Sequence, residues 1–318
     1  MASTTAAPGI STGKKSSFVS RLIKDILKNR YVYLLALPVI AYYVIFCYIP
    51  MYGVTLAFMD FSPVKGYFGS PWIGLKHFVS FFNSYYFTRL LTNTLLLNIY
   101  DLLWGFPAPI ILALLINELR AKRFKRVVQT ISYLPHFVSM VVIAGIIRQF
   151  CSADGFVNQI VALFGGTKSD LLSFPELFRT IYISSGIWQG VGFGTIIYLA
   201  AISSINPELY DAAYVDGAGR FRQALNVTLP SIMPTVIILL ILRIGSMMNV
   251  GFEKIILLYS PVTYETADVI STFVYRKGLI ESNFSYSTAV GLFNSVINFA
   301  LLIFANKLSR KVSESSLW

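Results

Sequence analysis

The sequence predicts an all-α integral membrane protein with six transmembrane helices and one structured cytoplasmic loop between the fourth and fifth. Three observations carry this expectation. Of the 318 residues, 55% are hydrophobic and only 13% charged, about half the charged share of a soluble globular domain. Six runs approach the roughly 20 apolar residues that cross a hydrocarbon core: 31–58, 93–117, 127–150, 180–205, 231–255 and 284–306. The basic residues are also asymmetric. With the N-terminus placed inside, the cytoplasmic segments hold 16 Lys and Arg and the opposite segments 7, which satisfies the positive-inside rule. Both termini are expected in the cytoplasm. The net charge of +11 is then a topology signal and no footprint of nucleic-acid binding.

Residues 1–29 lack an apolar period and read as a disordered cytoplasmic tail. Within it, Gly9 to Ser16 imitates a phosphate-binding loop. Only three residues separate its glycines, however, and Lys15 stands where magnesium needs Ser or Thr. The chain is therefore expected to be no enzyme, with no ATPase and no cofactor of its own. Residues 30–60 hold the first transmembrane helix, long enough to span and lacking a cleavage pattern close behind it. Its Pro38 and Pro50 are tolerable where neighbours satisfy the freed carbonyls.

Segment 61–89 is rich in aromatic residues, among them Trp72, Tyr85 and Tyr86, and is expected at the headgroup level outside the membrane. Residues 90–306 form a core of five further helices with the loop 206–230, and 307–318 a cytoplasmic tail. Gly186, Gly190 and Gly194 give the fourth span a small-residue face for close helix approach. Cys47 and Cys151 form no framework, and His77 and His136 are too isolated for a metal site.

The loop NPELYDAAYVDGAGRFRQALNVTLP occupies 206–230. Asn206 caps a helix with Pro207 at its first position. Gly217 stops that helix, and Pro230 is expected to end a second short one. Ala212 and Ala213 leave a face without bulk, Phe221, Leu225 and Leu229 supply apolar anchors, and Glu208 and Asp211 supply charge for caps or pairs. A polar, cap-punctuated insert at a membrane surface reads as a docking surface.

This loop resembles the cytoplasmic motif in the membrane subunits of ATP-binding-cassette importers: Glu-Ala-Ala, three residues, Gly, nine residues, Ile-x-Leu-Pro. Here Asp211-Ala212-Ala213 leads across three residues to Gly217, then across nine to Val227-Thr228-Leu229-Pro230. Asp216-Gly217-Ala218 fits the motif's common elaboration, and the two departures keep charge and shape. The resemblance implies a type I importer permease whose loop is a coupling helix seated in a groove of an ATPase subunit. It also implies the partners: a second homologous permease, a nucleotide-binding ATPase dimer that carries ATP and Mg, and an extracytoplasmic solute-binding protein. The setting would be a bacterial plasma membrane. The stretch Trp72 to Phe78, Asn93-Thr94 and Tyr133-Leu134-Pro135 resemble the carbohydrate branch of these permeases. Gly251 to Lys254, Tyr264 to Asp268 and Ser315 to Trp318 resemble its polysaccharide or complex-oligosaccharide subgroup. No particular sugar follows.

Ionisable and polar groups within spans are functional candidates by default. Arg243 lies near the middle of 231–255 and has two readings: a pathway residue for sugar hydroxyls or a uronate carboxylate, or an intramembrane ion pair with Asp101. Gln189 beside Trp188, Asn249 and Glu253 after Arg243, and Asn294 and Asn298 on one face of the sixth span complete the candidate pathway lining.

Three rivals remain. An ion-coupled secondary transporter predicts inverted repeats and broken helices, neither legible in the sequence, and leaves 206–230 without a role. A membrane enzyme acting on lipid-linked sugar needs clustered acids or histidines, and the acids are scattered. A permease of the same type for a non-sugar solute stays open.

Overall fold

The computed structural model describes residues 25–248 and 251–312. The tail expected over 1–24, Asn249 and the Ser315 to Trp318 resemblance lie outside the described residues. Residues 25–28, expected within the disordered tail, instead form a helical turn. Asp25 stabilises it by accepting hydrogen bonds from Asn29 Nδ2 at 2.8 Å and the Tyr33 hydroxyl at 2.6 Å.

Among the described residues, six helical segments are long and apolar enough to cross a membrane. The chain divides into two units, 1–54 and 55–318. The first is dominated by α1 (Arg30–Phe58), whose apolar side chains are almost all exposed. The second contains α2 (Lys76–Phe82), α3 (Tyr86–Asn117), α4 (Lys122–Tyr133), α5 (Met140–Cys151), α6 (Phe156–Leu163), α7 (Pro175–Ser203), α8 (Pro207–Val215), α9 (Arg220–Gly245), α10 (Phe252–Leu258), α11 (Ile270–Tyr275) and α12 (Phe284–Val312).

Three of the prolines explain local widening of the helices. Wide π turns at Val44–Tyr48, Asp101–Gly105 and Ala224–Thr228 each end two residues before a proline, at Pro50, Pro107 and Pro230 respectively. Proline has no N–H to donate, and its ring collides with the carbonyl four residues back. In each case that carbonyl (Phe46, Leu103 or Asn226) belongs to the widened turn. This corrects the expectation for Pro230. The helix does not end there; it runs through Pro230 as one segment from Arg220 to Gly245.

Two expected spans are interrupted. The run 127–150 breaks at a 3-10 turn, Leu134–Phe137, because Pro135 cannot continue α4 and Ser139 begins α5 by accepting from the Val142 N–H at 3.5 Å. The membrane-length segment is instead Met140–Leu163, with a turn between α5 and α6. The run 231–255 stops at Gly245. A β-carbon on Gly245 would collide with Leu302 of α12, and the turn that follows is held from the same helix. Asn298 accepts the Met248 N–H at 2.8 Å, and Asn294 donates to the Met248 carbonyl at 3.3 Å. Broken helices are therefore present, so their supposed absence does not discriminate against an ion-coupled transporter.

α7 is the organising helix of the second unit. Gly194 lets it approach α3, where an added β-carbon would meet Pro109 Cγ at 2.9 Å. Gly192, outside the expected glycine series, lies against the Ser132 backbone of α4. Gly190 has open space beside it. Buried clusters fill the interior: Leu97, Ile143, Phe178 and Ile255 in one, Ile110, Tyr198 and Ile232 in another. The aromatic-rich segment contributes to a third. Phe81, 1% exposed, meets Phe87, Phe273, Tyr286 and Phe293 at centroid distances of 5.2–6.3 Å, within the range of favourable ring pairs.

Candidate functional site

The loop between α7 and α9 folds from its own sequence. Asn206 accepts the Glu208 N–H at 3.1 Å, and its amide donates to Glu208 Oε2 at 3.0 Å. α8 ends in a Schellman arrangement: Gly217 N–H donates to Tyr214 O at 3.0 Å and Ala218 N–H to Ala213 O at 2.9 Å. Gly217 has φ +74°, the left-handed region that a β-carbon disfavours. Tyr210 and Thr228 hydroxyls lie 3.0 Å apart and tie α8 to α9. Arg220 reaches Glu118 at 4.0 Å, fastening the loop to the turn after α3.

The exposed face of this loop carries Glu208, Asp211, Ala212, Asp216, Gly217, Phe221 and Pro230, with Ala213 half-buried beside them. Leu229 is half-buried against the Ile110 cluster, so it anchors the loop and presents nothing outward. Sequence reasoning missed Tyr214 and Val215, which are 77% and 84% exposed next to Phe221 at 76%. These apolar side chains open outward at the end of α8 and the start of α9, on either side of the Gly217 stop.

The polar residues of the spans separate into distinct places. Asp101 and Arg243 form a salt bridge. Asp101 lies halfway along α3, so the pair sits at mid-height although Arg243 is in the last turn of α9. They line a polar cavity of about 290 Å³ with Asn98, Tyr182, Gly186, Gln189, Ser246 and Lys254. A second cavity of about 440 Å³ shares Asp101, Gly186, Arg243 and Ser246, which puts the ion pair at the junction of the two.

Trp188 lies apart from its neighbour Gln189, in an apolar cavity with Ile147, Phe150 and Leu177. Glu253 is exposed and outside the polar cavity. Asn294 and Asn298 bind the Met248 backbone and secure the end of α9, and neither lines the cavity that holds Arg243 and Gln189. Lys254 was missed, although a charge inside an expected span was itself the signal. Among the described residues, no group of three His, Cys, Asp or Glu is arranged to hold a metal.

A separate polar node fastens the 259–283 segment to α3. Asp268 is wholly buried and takes hydrogen bonds from Arg276 at 2.7 and 3.2 Å and from Thr272 at 2.9 Å, with Arg89 at 3.5 Å. Burial by itself would lower the Arg276 pKa, but the bonds and charge of Asp268 outweigh it and hold the guanidinium above its ordinary value. Asn93 donates to the Glu265 and Asp268 carbonyls at 2.8 and 3.0 Å and accepts from Arg179 at 2.8 Å.

Residues 105–314 match the family described as binding-protein-dependent transport system inner membrane component. The sequence is 44% identical to the polygalacturonan/rhamnogalacturonan transport system permease protein YteP of Bacillus subtilis, over 94% of this chain and 93% of that one. It is 43% identical to protein LplB of the same organism, over 98% and 97%. Its fold matches a chain in the crystal structure of a bacterial alginate ABC transporter in complex with an alginate pentasaccharide-bound periplasmic protein. The TM-score is 0.86 at 48% identity, covering 93% of this chain and 100% of that one. A chain in the structure of a bacterial ABC transporter that imports the acidic polysaccharide alginate matches with TM-score 0.85 at 49% identity, over 92% and 99%.

Proposed function

Because the chain belongs to the family of binding-protein-dependent transport system inner membrane components, and so is a permease subunit of an importer, we propose that it forms one half of an ATP-driven pathway for an oligosaccharide. The sugar class rests on the substrates in the names of its relatives: polygalacturonan, rhamnogalacturonan and alginate. Family membership also sets aside the ion-coupled reading that the broken α9 would have suited.

The observation that carries the coupling role is the loop 206–230. Its Schellman stop at Gly217 and its exposed Tyr214, Val215 and Phe221 present a rigid apolar face. A separate nucleotide-binding subunit, which would carry ATP and Mg, docks on this face, with Asp211 and Asp216 at its rim. Hydrolysis then acts by giving the two membrane states different affinities for the ATPase states, without which no population shifts.

A second permease completes the pathway. The Arg243 side chain is 52% exposed on this chain at mid-height. A charge bare to lipid costs several kcal/mol, so that face is covered by the partner subunit or by a water-filled path. The solute-binding protein delivers the sugar from the side opposite the loop, with both termini cytoplasmic in the bacterial plasma membrane.

The test is reconstitution with the ATPase, the second permease and the binding protein, across an oligosaccharide panel. Sugar-stimulated ATP hydrolysis and uptake are expected, both lost in Gly217→Pro, whose φ is locked near −65°. Uptake that persists in vesicles lacking any ATPase subunit overturns the reading.

A further inference from the structure

We propose that Lys254 receives a carboxylate of the transported sugar in the mid-height polar cavity, selecting acidic over neutral oligosaccharides. The inference rests on the oligosaccharide reading above and adds to it a residue and a charge.

Lys254 is 4% exposed, yet its ammonium opens on the cavity lined by Asp101, Arg243, Gln189 and Tyr182. Burying a charge is unfavourable unless it is paired, and Lys254 has no carboxylate within salt-bridge distance among the described residues. Among the described residues, its ammonium makes one hydrogen bond, to the Tyr182 carbonyl at 2.9 Å, and lies 4.8 Å from the centre of the Tyr182 ring. An ammonium has three donors, so two remain to be satisfied. Among the described residues, the one acid lining the cavity is Asp101, which is committed to Arg243. The ionised set thus carries one surplus positive charge, located at Lys254.

Space has been left at that point. Gly186 stands beside the ammonium, where an added β-carbon would be in ordinary contact with Nζ at 3.4 Å and a larger side chain would fill the space. Gly251 sits over the Tyr182 hydroxyl, which a β-carbon would meet at 2.8 Å. The volume of about 290 Å³ is at the lower limit of small-molecule sites, suited to one charged sugar unit within a passing chain. Gln189 supplies a further donor and acceptor for ring hydroxyls. The unpaired ammonium of Lys254 and the pre-paired Arg243 divide the labour: one cation for the ligand, the other for the fold.

The experiment measures uptake by the complete reconstituted complex with its binding protein at saturation. The probes are galacturonate and mannuronate trimers, with galactotriose and maltotriose as neutral counterparts. Lys254→Gln should raise the half-saturating concentration of an imported uronate trimer at least about tenfold, the factor of one charge-assisted bond. Lys254→Arg should keep most of the uptake, and Gly186→Leu, whose side chain fills the space beside Nζ, should raise uronate half-saturation several-fold. A wild-type complex that imports a uronate trimer no better than Lys254→Gln does overturns the inference and leaves the sugar reading intact. Import of neutral trimers alone has the same consequence. Import of none of the four by a complex that hydrolyses ATP overturns the sugar reading and this inference with it. Should Lys254→Gln not assemble, Gly186→Leu decides, and unchanged uronate half-saturation in that variant overturns the inference.

Discussion

Replacing Asp268 by alanine tests the node that fastens the 259–283 segment to α3. The carboxylate is 0% exposed, whereas its partners Arg276 and Arg89 are 17% and 23% exposed in their side chains. Removing one partner of a buried pair costs about 3–5 kcal/mol, since the other charge is left uncompensated. Partial exposure of the two arginines lets water answer some of that loss, so about 3 kcal/mol is expected. Asp268→Asn keeps the shape and one acceptor for Thr272 but loses the charge, and about half that loss is expected. The Asn93 bond to residue 268 survives in both variants because it goes to the backbone carbonyl. In the double variant Asp268→Leu with Arg276→Met, an apolar pair replaces the ionic one. It should be less destabilised than Asp268→Ala, since such replacements are often neutral. The assay is reversible unfolding of the purified permease in mixed micelles, followed by tryptophan fluorescence. An Asp268→Ala protein within about 0.5 kcal/mol of wild type would refute the reasoning, as would a double variant less stable than the single one.

Two further outcomes are expected from the same measurement. Gly192→Ala places a methyl group against the Ser132 backbone of α4 and should destabilise by about 1–3 kcal/mol, whereas Gly190→Ala, with open space beside it, should be near neutral; equal effects would sink the packing argument. Asn298→Leu leaves the Met248 N–H without its 2.8 Å acceptor and should cost about 1–3 kcal/mol. It should also speed amide exchange in the turn after α9, and unchanged exchange there would show that α12 does not hold the break.

Much of this protein was legible in the sequence because the bilayer makes local rules decisive. A span must satisfy its backbone internally, so hydropathy located six apolar helical segments, most of them within several residues. The loop 206–230 was legible for a related reason. Asn206, Pro207 and Gly217 act on their own backbone within a few residues, and capping chemistry needs no distant partner.

What the sequence did not reveal depended on residues far apart in the chain. Periodicity ran 231–255 together as one helix, whereas the break after Gly245 is set by Leu302, Asn294 and Asn298 of α12. Pro230 carried a local stop signal that the π turn at Ala224–Thr228 absorbs. Asp268, Arg89 and Arg276 are up to 187 positions apart and meet around one buried carboxylate. Lys254 acquires its meaning from Tyr182 and Gly186 of another helix and from the commitment of Asp101 to Arg243. The sequence by itself located most of the spans, the basic asymmetry and the capped loop 206–230, because those follow from transfer free energy and local hydrogen bonding. Tertiary structure decided which charges are paired and which faces a cavity, because that depends on distances between helices that no one-dimensional pattern contains.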